Sequence, residues 1–125
     1  MKPSEILDAA ANIVLRDGWH QGAYFSVEPD DPADIDADKN RTAPCCQAGA
    51  ICRAAFGVAW MSVHTDTPTP GVTAYLTATS YMDRYVRRVH RQSSSIYWND
   101  LPTTTKDDIV NALRGAADDA REAGE

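Results

Sequence analysis

The chain reads as an all-α protein, and three observations carry that reading. Apolar residues recur at three- and four-residue spacing in four separate segments. Capping residues, prolines or glycines bound those segments. The one stretch of strand-like composition, Tyr24-Phe25-Ser26-Val27, has no obvious partner strand. The expectation is four main helices in a small bundle, joined by one long acidic loop and shorter connections, with a short extended segment near residues 24–27. At 125 residues the chain is expected to form one domain, 1–125, large enough to bury a core without disulfides or metals.

The first helix starts at Ser4, a good N-cap, and carries Ile6, Ala10, Ile13 and Val14 on one stripe. Asp17-Gly18 ends it, with Gly18 supplying a left-handed C′ residue. Residues 28–42 form a solvated loop with Asp30, Asp31, Asp34, Asp36, Asp38 and two prolines. The loop superficially mimics a calcium loop. It lacks the glycine at the sixth position and the glutamate at the twelfth, which argues against calcium.

A second helix is expected to start at Thr42 to Pro44, because proline is tolerated in a first turn. Its stripe of Ala48, Cys52, Ala55, Phe56 and Ala59 is mostly small and admits a close neighbour. Gly57 weakens its end. Thr65 to Gly71 breaks the chain through Pro68 and Pro70. A third helix spans Val72 to Arg91, with Val72, Leu76, Thr79, Met82, Val86 and Val89 as its apolar stripe. Arg84, Arg87, Arg88, His90 and Arg91 crowd its last turns, where cations complement the helix dipole. After Ser93-Ser94-Ser95, Asn99 and Asp100 are read as a turn leading into the last helix. Thr105 is its N-cap, and Ile109, Ala112, Leu113, Ala116 and Ala120 form its buried stripe. The final Ala-Gly-Glu is expected to fray.

Composition narrows the function classes. The formal charge of −6 favours solubility and argues against general polyanion binding. No apolar run reaches membrane-span length, and the first residues lack a signal-peptide pattern. Adjacent Cys45 and Cys46 do not bridge each other without strain, and Cys52 lies about two helical turns from Cys45. Three reduced thiols in a cytoplasmic protein are expected.

Three ordered segments carry a family resemblance. They are Gly18-Trp19-His20-Gln21-Gly22, Cys45-Cys46-Gln47-Ala48-Gly49-Ala50 and Trp98-Asn99-Asp100. Trp19, Gln21, Gly22, Cys46, Gly49, Trp98, Asn99 and Asp100 are the residues concerned. In this order they resemble a family of small uncharacterised proteins from actinobacteria and their phages. The resemblance covers most of the chain. It implies a bacterial or phage-encoded cytoplasmic protein and brings no catalytic residue with it.

Several chemistries compete for the remaining residues. Cys45 or Cys46 at a helix start, with His64 or His90 and then Asn99, follows the chain order of a cysteine hydrolase or transferase. The sheet that supplies the histidine in papain-like folds is missing, and so is the local signature around the cysteine. The preferred reading makes the cysteines space-fillers beneath Trp19 or Trp98. Cysteine and histidine spacing fits no structural zinc site, and no cofactor is expected.

Tyr81, Arg84, Tyr85, Arg87, Arg88 and Arg91 lie within three turns and suit phosphate contact and base stacking. Outside those four arginines, eight basic residues face eighteen acidic ones, which disfavours nucleic acid. The expectation is a non-enzymatic binding protein whose partner is a protein, a host protein if the chain is phage-encoded. Tyrosine and arginine favour interface hot spots, so the basic helix end is its expected interface. Nucleic-acid binding through the same helix end is the alternative.

Overall fold

A computed structural model describes residues 1–26, 37–61 and 69–125. Among the described residues the protein is all-α, with six helices and no strand. They are α1 (Pro3–Asp17), α2 (Ala37–Thr42), α3 (Gln47–Phe56), α4 (Pro70–His90), α5 (Ser95–Asn99) and α6 (Lys106–Glu122). Residues 28–36 of the expected acidic loop fall outside the described residues, as do Val27 and His64, while residues 37–42, expected as part of that loop, are helical as α2.

The apolar stripes of the first and last helices are buried as their periodicity predicts. Ile6, Ala10, Ile13 and Val14 of α1 meet Ile109, Ala112, Leu113, Ala116 and Ala120 of α6 in one core. Helix α1 packs on α6, α3 and α4, so it lies at the centre of the fold. Four buried alanines of α6, Ala112, Ala116, Ala117 and Ala120, let the two backbones approach closely. Thr105 caps α6: its hydroxyl accepts from Asp108 N at 3.2 Å, and Asp108 Oδ2 accepts from Thr105 N at 2.9 Å.

Several local expectations are corrected. The N-cap of α1 is Lys2, with Pro3 in the first turn. Ser4 is already helical, and its N–H and hydroxyl both donate to Glu125 O at 3.2 Å. The carboxy-terminal residues are therefore tied down: Glu125 N also donates to Ala120 O, and Tyr81 Oη donates to the Glu125 carboxylate. Gly18 has φ +100°, but its ψ of 171° places it outside the left-handed helical region expected. An L-residue rarely adopts that conformation.

Helix α3 starts at Gln47, not at residues 42–44. Cys46 is its N-cap, and the segment before it runs extended: Cys45 bridges Trp19 on one side and Phe25 on the other. The short extended segment is thus reduced to single bridges. Gly57, at φ +84°, closes the helix, so Ala59 is buried beyond it rather than on its stripe. Residues Gln47 to Arg53 are buried all round because α1, α4 and α5 all pack on this short helix.

Helix α4 is rotated relative to the expected stripe. Ala78, Tyr81, Met82 and Val86 are its buried residues, whereas Leu76 and Val89 are exposed. Aromatic residues take the inward positions: Tyr85 lies against Gly115 of α6, where a β-carbon would sit 2.2 Å from the ring. Of the two residues expected as a turn, Asn99 is the last residue of helix α5 and Asp100 its C-cap, and the helix starts with Ser94 Oγ accepting from Tyr97 N at 3.2 Å.

Arg53 is a buried cation with fully engaged donors. Its guanidinium donates to Asp17 Oδ2 at 3.0 Å and to the carbonyls of Lys39, Asn40 and Ala43. The carbonyls of Lys39 and Asn40 lie in the last turn of α2, where they also accept from Ala43 N at 3.0 Å and Ala59 N at 2.7 Å respectively, and Arg53 adds a charged donor to each. One arginine therefore joins α3, the end of α1 and the end of α2. The side chains of Asp17 and Arg53 are 9% and 3% exposed. Neighbouring Arg16 and Arg53 hold the Asp17 carboxyl below its ordinary value, Arg16 making the larger contribution through its hydrogen bond.

Candidate functional site

The three sequence segments that carry the family resemblance meet at one place, although they lie far apart in the chain. Asn99, at the end of α5, is the junction. Its Oδ1 accepts from the Trp19 indole Nε1 at 2.8 Å and from Gln47 N at 3.0 Å. Its Nδ2 donates to His20 O at 3.2 Å and to Asp100 Oδ1 at 2.9 Å. Its carbonyl accepts from Gln21 Nε2 at 3.0 Å, and Gln21 Nε2 also reaches Leu101 O at 2.9 Å. Asp100 Oδ1 accepts from Gly22 N at 2.9 Å. Asn99 is itself 1% exposed, so the bonds to its side chain satisfy a group that water does not readily reach.

The main chain stitches the same segments together. His20 N donates to Cys45 O, Cys45 N to Gly18 O, Cys46 N to Tyr24 O and Ser26 N to Pro44 O. Gly49 is required by this closeness, since a β-carbon there would lie 2.3 Å from Tyr24 O. A polar relay continues inward from Gln47. Gln47 Nε2 donates to Ser95 Oγ at 3.1 Å, and Ser95 N and Oγ both donate to Asp83 Oδ1 of α4. Gln47 Oε1 is buried and accepts no bond among the described residues.

A cleft of about 120 Å³ opens at this junction. Gly22, Ala23, Tyr24, Cys46, Ala48, Ile96, Asn99 and Asp100 line it. Four of the eight come from the three resembling segments' marked positions. Tyr24 is 41% and Ile96 57% exposed, so two large apolar side chains stand open to solvent at the cleft. Asp100 is the one charged residue in the lining. Tyr97, beside Ile96 on α5, is exposed to the same extent.

This protein belongs to the DUF6197 family. That family, described as a family of unknown function, matches residues 1–119. No curated protein and no solved structure matches the chain. In this DUF6197 member the segments around Trp19, Cys46 and Asn99 are joined by direct contact, which their positions in the chain do not reveal.

The thiols are held in their neutral form. Burial pushes Cys45 up to about 12 and Cys52 up to about 11. Cys46 is also raised by burial, against the opposing pull of the Gly49 and Ala48 amides. Its Sγ accepts from Gly49 N at 3.3 Å, an N-cap contact that satisfies a first-turn amide. Cys45 sits in the core cluster against which Trp19 packs and in which Trp98 takes part. His90 stacks on Trp98, with ring centroids 4.3 Å apart. Asn99 is occupied by Trp19, Gln47, His20 and Asp100. Among the described residues, no group of three histidine, cysteine or acidic residues is placed to hold a metal ion.

The basic end of α4 is largely spent within the molecule. Tyr81 is buried, and its hydroxyl donates to Glu125. Arg84 lies over the Tyr81 ring at 4.2 Å. Arg88 pairs with Asp119 at 2.8 Å and lies over Tyr85, which itself packs on Gly115. Arg87 and Arg91 make no ion pair among the described residues; Arg91 is the helix cap, at φ +58°. No described helix is long and apolar enough to cross a membrane.

Tyr24, Ala48 and Ile96 were not singled out as binding residues by sequence reasoning. Ile96 and Tyr97 next to Trp98-Asn99 offered a signal, because two exposed-type apolar residues flank two buried ones on a five-residue helix.

Proposed function

We propose that this protein is a small non-catalytic binding module that engages another protein at the cleft between Gly22–Tyr24, Cys46–Ala48 and Ile96–Asp100. The observation that carries the reading is convergence. Three distant segments cooperate through Asn99 to build one rigid rim, and that rim presents Tyr24 and Ile96 to solvent. A rigid frame around exposed apolar anchors reduces the ordering cost of association. Neutral, buried thiols support binding over nucleophilic catalysis. The intramolecular use of Tyr81, Arg84, Tyr85 and Arg88 supports the cleft over the basic helix end, and protein over nucleic acid. If the chain is phage-encoded, as the family resemblance allows, the partner to seek is a host protein.

The test is affinity capture from host lysate with the wild type, with Tyr24→Ser and Ile96→Arg, and with the double charge reversal Arg87→Glu/Arg88→Glu. Both cleft positions are solvent-facing, so circular dichroism should show a retained fold. The reading expects one specific partner, lost in both cleft variants and kept by the arginine reversal. Capture unchanged by the cleft variants, capture lost only in the arginine reversal, or no partner at all overturns it.

A further inference from the structure

The hydrogen-bonding character of the cleft has a definite sense. Around it, the donors at the start of α3 are already used: Gln47 N is held by Asn99 Oδ1, and Gly49 N by Cys46 Sγ. Gly22 N is held by Asp100 Oδ1. The helix N-terminus is therefore capped by the protein itself and offers little to an anion. Acceptor capacity is left over instead. Both bonds to the Asp100 carboxylate fall on Oδ1, and Oδ2 accepts none among the described residues. No cation lines the cleft to neutralise it. The remaining lining is chiefly apolar, from Ala23, Tyr24, Ala48 and Ile96, and the whole chain carries a net charge of −6.

We infer that the occupant of this cleft is a lysine side chain of the partner protein. Its aliphatic stem covers the apolar wall at Tyr24, Ala48 and Ile96, and its ammonium donates to Asp100 Oδ2. Three points select it. A narrow volume suits one unbranched side chain. An apolar wall beside a single carboxylate matches the stem-and-head character of lysine. Asp100 is rigidly held by Gly22 N and Asn99 Nδ2, so the carboxylate loses little freedom when it receives a charged donor. The acidic surface adds attraction for a basic partner during encounter. This assignment rests on the cleft being the binding site.

The experiment is a two-dimensional NMR titration of the full chain with Nα-acetyl-lysine methylamide. The norleucine, arginine and glutamate counterparts serve as comparison probes. The lysine probe should give saturable shifts at Gly22, Ala23, Tyr24, Ala48, Ile96 and Asp100, with weak affinity for so small a ligand. The norleucine probe lacks only the amine and should bind about fivefold more weakly, as expected for one exposed charge pair. The Asp100→Asn variant can keep an acceptor for Gly22 N while replacing the free oxygen by a donor. It should lower lysine affinity to the norleucine level with the fold intact. Equal binding of norleucine and lysine overturns the cationic assignment, as does preferential binding of glutamate. Preferential binding of arginine overturns the choice of lysine, and shifts scattered outside the cleft, or none, overturn the site for any of these side chains. If the lysine assignment fails while the lysate partner is still lost in the Tyr24 and Ile96 variants, the binding site stands and only its occupant changes. If the partner survives those variants, the binding reading itself fails whatever the probes do.

Discussion

Substitution of Asn99 tests the construction of the rim most directly. In Asn99→Ala two donors lose their acceptor: the Trp19 indole N–H and the buried Gln47 main-chain N–H. A buried donor left unpaired costs about 1–3 kcal/mol, so the pair costs about 2–6 kcal/mol. That is a large share of the about 5–15 kcal/mol that holds a domain of this kind folded. Asn99→Asp is more discriminating because its shape is nearly the same. One oxygen still serves Trp19 and Gln47. The other replaces a donor and faces His20 O and the Asp100 carboxylate, at positions where the amide lies 3.2 and 2.9 Å away. Burial and the neighbouring carboxylate raise the folded-state pKa of the new acid above its unfolded value near 3.9. The unfolded chain then releases the proton first, and stability falls as pH rises through the interval between the two values. Urea unfolding followed by tryptophan fluorescence should show Asn99→Asp regaining stability relative to the wild type between pH 7 and about 5. Asn99→Ala should show no such recovery. A cost for Asn99→Ala below about 1 kcal/mol, or a pH-independent difference for Asn99→Asp, would refute the account of Asn99 as the buried junction.

Three further outcomes are expected. Gly49→Ala places a β-carbon 2.3 Å from Tyr24 O, which is main chain and yields only if the segment moves. Thermal unfolding should show a net loss of about 1–3 kcal/mol despite the better helix propensity of alanine, and a gain would contradict the close approach. Arg53→Met removes the buried partner of Asp17 and the charged donor to Ala43 O, and leaves Lys39 O and Asn40 O with only their main-chain donors, Ala43 N and Ala59 N. A loss of about 3–5 kcal/mol is expected in chemical denaturation, and a near-neutral result would show that these groups find water instead. Cys45 and Cys52 are raised by burial to about 12 and about 11, above the ordinary thiol value of 9.0. Their contribution is fully present below pH 9.0 and is lost as pH rises through those folded values. Stability should decline above pH 9 by about 1.4 kcal/mol per unit for each thiol ionised in the unfolded chain, with alkylation of the folded protein slow throughout. Rapid alkylation at neutral pH would reverse the choice between filler and nucleophile.

The parts of this fold that were legible in the sequence are those set by local periodicity. Ile6-Ala10-Ile13-Val14 and Ile109-Ala112-Leu113-Ala116-Ala120 are buried as their spacing implies, and Thr105 caps as its type implies. Periodicity did not settle which face of α4 turns inward. Leu76 and Val89 have the right character for the core, but Tyr81 and Tyr85 pack there against other elements. The start of α3 was misplaced because Thr42 and Pro44 resemble a helix entrance. The chain instead stays extended to Cys46 so that Cys45 can bond Gly18 and His20. Helix α2 and its capping by Arg53 left no local signal, since the carbonyls concerned are 10–14 residues from the guanidinium.

By itself the sequence determined the all-α class and which stripes of α1 and α6 face the core, and it offered three segments as a family resemblance. Only the tertiary structure decided that those segments meet at one junction. Trp19, Gln21 and Gly22 reach Asn99 and Asp100 across 78–80 residues, and Gln47 reaches Asn99 across 52. A residue's type and neighbours specify its propensity and the bonds it needs. Which distant group meets that need depends on how the helices close on one another. The tight Cys45-Cys46 entrance, the small Gly49 and the polar Asn99 are separate oddities along the chain. In the folded protein they are one arrangement, because a buried junction needs closeness and hydrogen bonds together.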